Sequence, residues 1–146
     1  MSPRDIYSRK WRVWWSETDA AGIMHFSKYF AICERLEEEF YFHIGIGEKA
    51  RMAGHKIWFP RVHAECDYKK PLLPRRTYEI ALTSIEIGRS SITYSYEFRN
   101  SEGDPVANCK IVTVTVTGFP PQKIPVPREL REILVKHGAV EKTSAG

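Results

Sequence analysis

The chain lacks the features that mark a secreted, metal-binding or membrane-spanning protein. Its 146 residues include only three cysteines, Cys33, Cys66 and Cys109, which are far apart and show no C-x-x-C spacing. We therefore expect neither a disulfide framework nor a zinc site, and this cysteine usage favours a reducing cytoplasm. No apolar run approaches the roughly 18 residues that cross a bilayer. The first residues have no apolar region of the kind found in secretion signals.

Two further absences narrow the chemistry. The chain has no G-x-S-x-G nucleophile elbow and no evident Cys–His nucleophile pair, which disfavours hydrolases that depend on those groups. Its net charge of +4 is only mildly basic, and the basic residues are not interleaved with aromatic residues as in RNA-binding motifs. We therefore expect no nucleic-acid partner. Four basic residues lie close together in the sequence: Lys69, Lys70, Arg75 and Arg76. The simplest interpretation of this group is a solvated surface, although it would also suit a polyanionic ligand.

Hydrophobic periodicity predicts one long helix and about five strands. Residues 27–44 carry apolar side chains at helical spacing, which predicts a helix with one buried face. Alternating patterns predict strands at residues 8–15, 61–69, 76–87, 90–99 and 105–117. Short turns at Gly88-Arg89 and at residues 100–104 have hairpin chemistry, so the last three strands are expected to form an antiparallel meander. A short helical turn is one interpretation of residues 50–54. A short terminal helix is expected after Pro127, and the tail from Ala139 is expected to fray. The apolar face of the long helix consists of Tyr29, Cys33, Leu36, Phe40 and Ile44.

These elements predict an α+β fold in which a curved antiparallel sheet wraps around the long helix. The helix and the sheet each have one apolar face, and packing the two faces together buries both. An open sheet leaves edge strands unpaired, and pairing the edges across a two-fold axis would cover them. We therefore expect at least a homodimer, with a homotetramer as the alternative. No internal repeat or linker divides the chain, so residues 1–146 are expected to form one domain.

The stretch from Glu17 to Phe30 joins the first predicted strand to the long helix. It contains a carboxylate at Asp19, a turn at Gly22 and an imidazole at His25. The first turn of a helix leaves backbone N–H groups free to hold negative charge. Asp19, like Ser16 and Thr18, is of a residue type that commonly caps helices. It is either such a cap or a reactive carboxylate. Glu17 either shares a pocket with it, which would raise one pKa, or faces solvent, which we favour.

The same stretch resembles the hotdog-fold acyl-CoA thioesterases. The resemblance rests on Thr18-Asp-Ala-Ala-Gly-Ile23 followed by His25-Phe26, and it covers roughly residues 8–135. The nearest branch is the 4-hydroxybenzoyl-CoA thioesterase family, which includes the Tol-Pal-associated thioesterases. Several branches carry His or Tyr where this chain has Phe26. Further matching residues are Tyr29, Glu34-Arg35, Tyr68 with Pro71, Gly88-Arg89-Ser90-Ser91, and Pro127 with Leu130.

The resemblance implies hydrolysis of an acyl-CoA thioester at a dimer interface, without a metal ion or a cofactor. In this family the carboxylate matching Asp19 is catalytic, either as a nucleophile that forms a mixed anhydride or as a general base on water. His25 is a second catalytic candidate, with a structural role as its alternative. Glu34 and Glu37 are outside candidates, because another hotdog branch uses a carboxylate on the helix. Substrate-binding candidates are Gly22 and Phe26 in the motif, Trp58 and Phe59 for the acyl group, and Arg89 and Ser91 for the phosphates of coenzyme A.

One alternative function belongs to a different class. A hotdog protein that binds acyl-CoA without hydrolysing it would share the fold and the ligand. Such a protein needs no carboxylate beside the thioester, so Asp19 favours the enzyme. Dehydration of an acyl chain on the same fold is disfavoured, because the chain shows no His-plus-Asp dehydratase motif.

Overall fold

The computed structural model describes residues 4–46 and 56–142. A helical turn predicted near residues 50–54 lies outside these ranges. The described chain contains the helices α1 (Lys28–His43) and α2 (Arg128–Lys136) and a 3-10 turn at Trp15–Glu17. Its strands are β1 (Tyr7–Arg12), β2 (Ile57–Trp58), β3 (Arg61–Tyr68), β4 (Thr77–Ile87), β5 (Ser91–Arg99), β6 (Pro105–Val114), β7 (Val116–Thr117), β8 (Gln122–Lys123) and β9 (Val140–Glu141).

The main sheet has the strand order β1–β4–β5–β6–β3, and all neighbours on this path are antiparallel. The expected meander of β4, β5 and β6 is therefore confirmed. β9 adds a short parallel pairing to the end of β4. A second, three-stranded sheet contains β2, β7 and β8. The predicted α+β class is confirmed, with six strands in the main sheet.

Helix α1 packs its apolar face against the main sheet. The predicted side chains are buried except Ile44, which is half-buried, and Ile32 joins them. They belong to one hydrophobic cluster with the inward side chains of β5, which are Ile92, Tyr94, Tyr96 and Phe98. Burying a large apolar side chain contributes about 1.5–3 kcal/mol, so this contact is the main reason that α1 keeps its position on the sheet.

The N-terminal strand ends earlier than the sequence predicts. β1 stops at Arg12, and Trp14 and Trp15 are 60% and 73% exposed instead of alternating into the core. The chain turns here because Glu17 Oε1 accepts hydrogen bonds from Trp14 N–H at 2.8 Å and from Trp11 Nε1–H at 3.2 Å. The expectation that Ser16, Thr18 or Asp19 caps the long helix is wrong, since α1 begins only at Lys28.

Three other expectations need correction. The predicted strand 105–117 is interrupted at Thr115, whose N–H donates to Ser90 O, so β7 leaves for the second sheet. The tail from Ala139, which we expected to fray, forms β9 through Glu141. β3 does not alternate between buried and exposed faces, since Cys66 alone is half-buried and every other residue of the strand is exposed.

No helix in the described ranges is long and apolar enough to span a membrane.

Candidate active site

Asp19 lies on a tight turn. Its backbone N–H donates to Ile23 O at 3.0 Å, and its carbonyl accepts from Gly22 N–H at 2.9 Å. Gly22 has a φ of +78°, which an L side chain adopts only at a cost, so the glycine allows the chain to reverse. The carboxylate is exposed, and its Oδ1 accepts a hydrogen bond from Ala21 N–H at 2.8 Å. Within residues 4–46 and 56–142, Oδ2 has no hydrogen-bond partner and stays available for chemistry.

Asp19 borders a cleft of about 370 Å³ between this turn, the start of α1 and the end of β3. Tyr29 and Tyr68 form one wall, and their rings meet edge to face at 4.7 Å. Tyr68 Oη donates to Phe26 O at 3.4 Å. Burial raises the pKa of Tyr68 to about 12, so its hydroxyl remains a proton donor at neutral pH. The complete lining is Asp19, Ile23, Met24, Phe26, Tyr29, Tyr68, Lys69, Lys70 and Pro71.

Two cations in this lining, Lys69 and Lys70, are absent from our site candidates, because a group of basic residues is most simply a solvated surface. The N–H groups of both lysines donate to the same acceptor, Val106 O, at 2.9 and 3.0 Å. This shared hydrogen bond ends β3 and holds the pair beside the cleft. Their position directly after Tyr68, which carries part of the family resemblance, is the signal that would have identified them.

His25 stands beside the site and does not line the cleft. Its Nδ1 lies 2.7 Å from Ser27 Oγ and accepts the Ser27 N–H at 3.2 Å. Its carbonyl accepts from Lys28 N–H, and its own N–H donates to Glu17 O. The histidine therefore shapes the chain just before α1. A catalytic role for His25 stays a prediction, and these contacts favour a positioning role.

Glu17 does not share the cleft with Asp19. Its carboxylate is half-buried and holds Trp11 and the Trp14 backbone, as described above. The expectation that Glu17 simply faces solvent is thus incomplete, because one oxygen is occupied by the fold. The alternative of two carboxylates in one pocket has no support in this geometry, since the lining includes Asp19 alone.

The other predicted binding residues lie at the opposite end of the sheet. Trp58, 42% exposed, and Phe59, half-buried, precede the start of β3, whereas the Asp19 cleft lies at its end. Arg61 of β3 pairs with Thr113, Thr113 pairs with Ile92, and Ile92 pairs with Ile87. The hairpin that carries Arg89 and Ser91 therefore lies at the same end as Arg61. An eight-residue strand spans about 25 Å, so one chain does not bring these residues to Asp19.

A buried polar cluster lies at that opposite end, between α1 and the sheet. Arg61 Nη2 contacts Glu37 Oε2 at 3.0 Å and Glu34 Oε2 at 3.3 Å. Burial raises the pKa of Glu37, and the Arg61 charge counteracts this rise. The Tyr41 and Tyr94 hydroxyls form a short hydrogen bond. Glu37 Oε1 and Tyr96 Oη are buried without a hydrogen-bond partner among the described residues, so this cluster has spare hydrogen-bonding capacity.

The long helix packed on an antiparallel sheet is the hotdog fold, and comparison with known proteins places the chain in the thioester hydrolase class. A solved gentisyl-coenzyme A thioesterase shares this fold, with a TM-score of 0.74 and 26% sequence identity over 88% of this chain and 99% of that one. The sequence profile of the thioesterase-like superfamily matches residues 13–134. The chain belongs to this superfamily.

Two curated relatives extend the comparison. A protein of Aquifex aeolicus, named provisionally as an esterase, is 34% identical over 88% of this chain and 96% of its own length. The 1,4-dihydroxy-2-naphthoyl-CoA hydrolase of Synechococcus elongatus is 28% identical over 81% of this chain and 87% of its own length. These findings confirm the predicted fold and the predicted activity class, acyl-CoA thioester hydrolysis, and they favour the enzyme over a non-catalytic binding protein. The finer assignment to the 4-hydroxybenzoyl-CoA or Tol-Pal-associated branch stays a prediction.

Proposed function

We propose that this protein hydrolyses the coenzyme A thioester of a hydroxylated aromatic acid, with Asp19 as the catalytic carboxylate. The observation that carries the proposal is the free Oδ2 of Asp19 at the border of a cleft that also holds two lysines. A carboxylate in this position attacks the thioester carbonyl directly or removes a proton from the attacking water. Backbone N–H groups at the start of α1 stabilise the developing oxyanion.

The aromatic acyl group is supported by two observations. The named relatives act on 1,4-dihydroxy-2-naphthoyl-CoA and gentisyl-CoA, according to their names. The cluster of Glu37 and Tyr96 offers buried polar atoms without partners among the described residues. In one chain this cluster lies away from Asp19, but in the dimer proposed next the partner subunit would bring its own copy of the cluster towards the acyl group, where these atoms would accept or donate hydrogen bonds to ring hydroxyl groups. A purely aliphatic acyl chain would leave those atoms unsatisfied, and each unsatisfied buried polar atom costs about 1–3 kcal/mol.

The complete site requires a second copy of the chain, paired through β3. This strand is an edge of the main sheet, is eight residues long and is exposed on both faces. Antiparallel pairing of β3 with the same strand of a partner would place the partner's Arg61 end beside the Tyr68 end of the first chain. Arg89 of the partner subunit and Trp58 of the partner subunit would then lie near Asp19. Together with Lys69 and Lys70, the partner's Arg89 would hold the phosphates.

The catalytic assignment is tested by replacing Asp19→Asn and measuring thiol release from a panel of aliphatic and aromatic acyl-CoAs. We expect kcat to fall by about 10²–10⁴-fold, the usual contribution of a general base, with an unchanged melting temperature. Glu102→Gln is the matched control, because this carboxylate lies on an exposed hairpin loop and does not line the cleft. Undiminished activity of Asp19→Asn would refute the role of this residue, and a preference for aliphatic acyl groups would refute the aromatic substrate.

A mixed-dimer experiment tests the shared site. Asp19→Asn and Arg89→Glu are each expected to be nearly inactive at low substrate concentration. In a heterodimer of the two variants, one site combines an intact Asp19 with an intact Arg89 of the partner subunit. A statistical mixture should therefore recover about a quarter of the wild-type activity. If each chain holds its own complete site, mixing restores nothing. Val62→Asp, on the exposed face of β3, should also shift the protein from dimer to monomer in light-scattering measurements.

A further inference from the structure

The fold brings together the three cysteines that are widely separated in sequence. Cys66 on β3 and Cys109 on β6 are direct cross-strand partners, and their Sγ atoms lie 2.8 Å apart. Cys33 on α1 lies near enough to Cys109 to raise the pKa of the Cys109 thiol. All three thiols are free. No group of His, Cys, Asp and Glu side chains in the described part of the chain is arranged to hold a metal ion, so metal binding does not explain the cluster.

The backbone at this pair fits a covalent bond between the two sulfurs. Directly opposed residues of antiparallel strands have Cα atoms about 4.5–5.5 Å apart, and disulfides span Cα separations of about 4.4–6.8 Å. The sulfurs need to approach by less than 1 Å from 2.8 Å to reach the S–S bond length of about 2.05 Å. A small side-chain adjustment would therefore be enough, without a change of strand register.

We propose that Cys66 and Cys109 form a reversible dithiol–disulfide pair, a redox modification site beside the candidate active site. Cys66 is half-buried, whereas Cys109 and Cys33 are buried, so Cys66 reacts first. Cys66 and Tyr68 are two residues apart on β3 and share one face of the strand. The modified residue is therefore the same-face neighbour of Tyr68, which lines the Asp19 cleft.

The oxidant is a low-molecular-weight disulfide, and the exchange balances in two steps. The Cys66 thiolate attacks one sulfur of the oxidant, forms a mixed disulfide and releases one thiolate, which takes up the proton that Cys66 lost. Cys109 then loses its proton, its thiolate attacks Cys66 Sγ, and the second small thiolate leaves and takes up that proton. The two cysteines are oxidised by two electrons, and the small disulfide is reduced to two thiols.

The environment of the pair sets the expected rate. Hydrogen bonding to Cys109, followed by burial, raises the pKa of Cys66 above its ordinary value. Few Cys66 thiolates are therefore present at neutral pH, and the first step is slow. The pKa of the Cys109 thiol is raised as well, but the second step is intramolecular and the two sulfurs are already in contact, so it is faster than the first step. The mixed disulfide should therefore not accumulate.

The test is peptide mapping of the full wild-type protein after incubation with oxidised glutathione. Trypsin places each cysteine in a separate peptide: residues 29–35, 62–69 and 100–110. We expect a cross-link between 62–69 and 100–110, a free thiol in 29–35, and full reversal by dithiothreitol. The same treatment in 6 M urea is the control, since an unfolded chain should pair all three cysteines indiscriminately. Cys66→Ser should abolish the cross-link, and Cys33→Ala should retain it.

The proposal is overturned by three free thiols after oxidation of the folded protein, by a dominant cross-link between 29–35 and 100–110, or by bonds between chains only. Peptide mapping of the wild type gives a decision even if a variant fails to fold.

Discussion

Removing the Arg61 guanidinium should destabilise the protein, because it leaves Glu37 charged, buried and unpaired. The Glu37 side chain is 12% exposed, whereas that of Glu34, the second partner of Arg61, is 65% exposed. Breaking a buried ion pair costs about 3–5 kcal/mol, and an exposed pair contributes about 0–1 kcal/mol. Arg61 is itself 32% exposed, so we expect about 3 kcal/mol for Arg61→Met at pH 8. For a chain of this length, the melting temperature should fall by about 6–12 °C.

The loss should depend on pH in a defined direction. Burial raises the folded-state pKa of Glu37 above its ordinary value of 4.5. A carboxyl group with a raised folded pKa binds its proton more tightly in the folded state, so stability falls as pH rises through that pKa. Arg61 counteracts the rise, and its removal raises the pKa of Glu37 further. The deficit of Arg61→Met should therefore be largest at pH 8 and should shrink as the pH falls towards 4.5.

Urea unfolding at pH 8 and pH 5.5, at one fixed protein concentration, measures this effect. The set comprises the wild type, Arg61→Met, Glu37→Gln and the double variant. Arg61→Met should cost less than about 1 kcal/mol in the Glu37→Gln background, and its cost there should not depend on pH. Glu34→Gln is the matched control background, in which the full cost should remain. An equal loss in the Glu37→Gln background, or a loss that grows as the pH falls, would refute the reasoning.

Two further predictions concern the candidate site. Lys69→Ala and Lys70→Ala should each raise KM for an acyl-CoA by about tenfold, equivalent to about 1.4 kcal/mol, and should leave kcat within about twofold. The rise in KM should be smaller in high salt. It should be absent with an acyl-pantetheine, which lacks the phosphates. Gly22→Ala should lower the melting temperature by about 2–8 °C, because a Cβ meets no atom within 4 Å and the cost is the positive φ alone. Gly22→Asn should lower it less, since asparagine tolerates this backbone conformation; an equal or larger loss would contradict the explanation.

The parts of the fold that local patterns determine could be predicted from the sequence. Helix α1 lies within one residue of its expected bounds, because its apolar spacing matches the helical period over four turns. The antiparallel meander followed from strand alternation and short hairpins. The early end of β1 could not be predicted from the hydrophobic pattern. The Glu17 carboxylate hydrogen-bonds to Trp11 and to the Trp14 backbone, and this contact turns the chain out of the sheet.

The candidate site was predictable only in part, because most of it depends on long-range contacts. Asp19 belongs to the motif Thr18-Asp-Ala-Ala-Gly-Ile23, which can be read directly from the sequence. Lys69 and Lys70 reach the cleft through a shared hydrogen bond to Val106 O, 36 or more positions away, which no local pattern reports. The contact of Cys66 with Cys109 depends in the same way on the register of β3 against β6. The spacing of the cysteines in the sequence excluded a C-x-x-C motif. It could not show whether the cysteines lie close together in the fold.

The exposure of Asp19 in the single chain bears on how the reaction can proceed. Hydrogen-bond donors stabilise a developing oxyanion far more strongly when water is excluded from the site. The cleft is lined by the turn, the start of α1 and the end of β3, and β3 is an edge strand of the main sheet. A second chain paired at that edge would cover the strand beside the cleft and supply the partner's Arg89. In the proposed dimer, the strand that completes the sheet therefore also completes the active site, so loss of pairing should abolish catalysis before it abolishes folding.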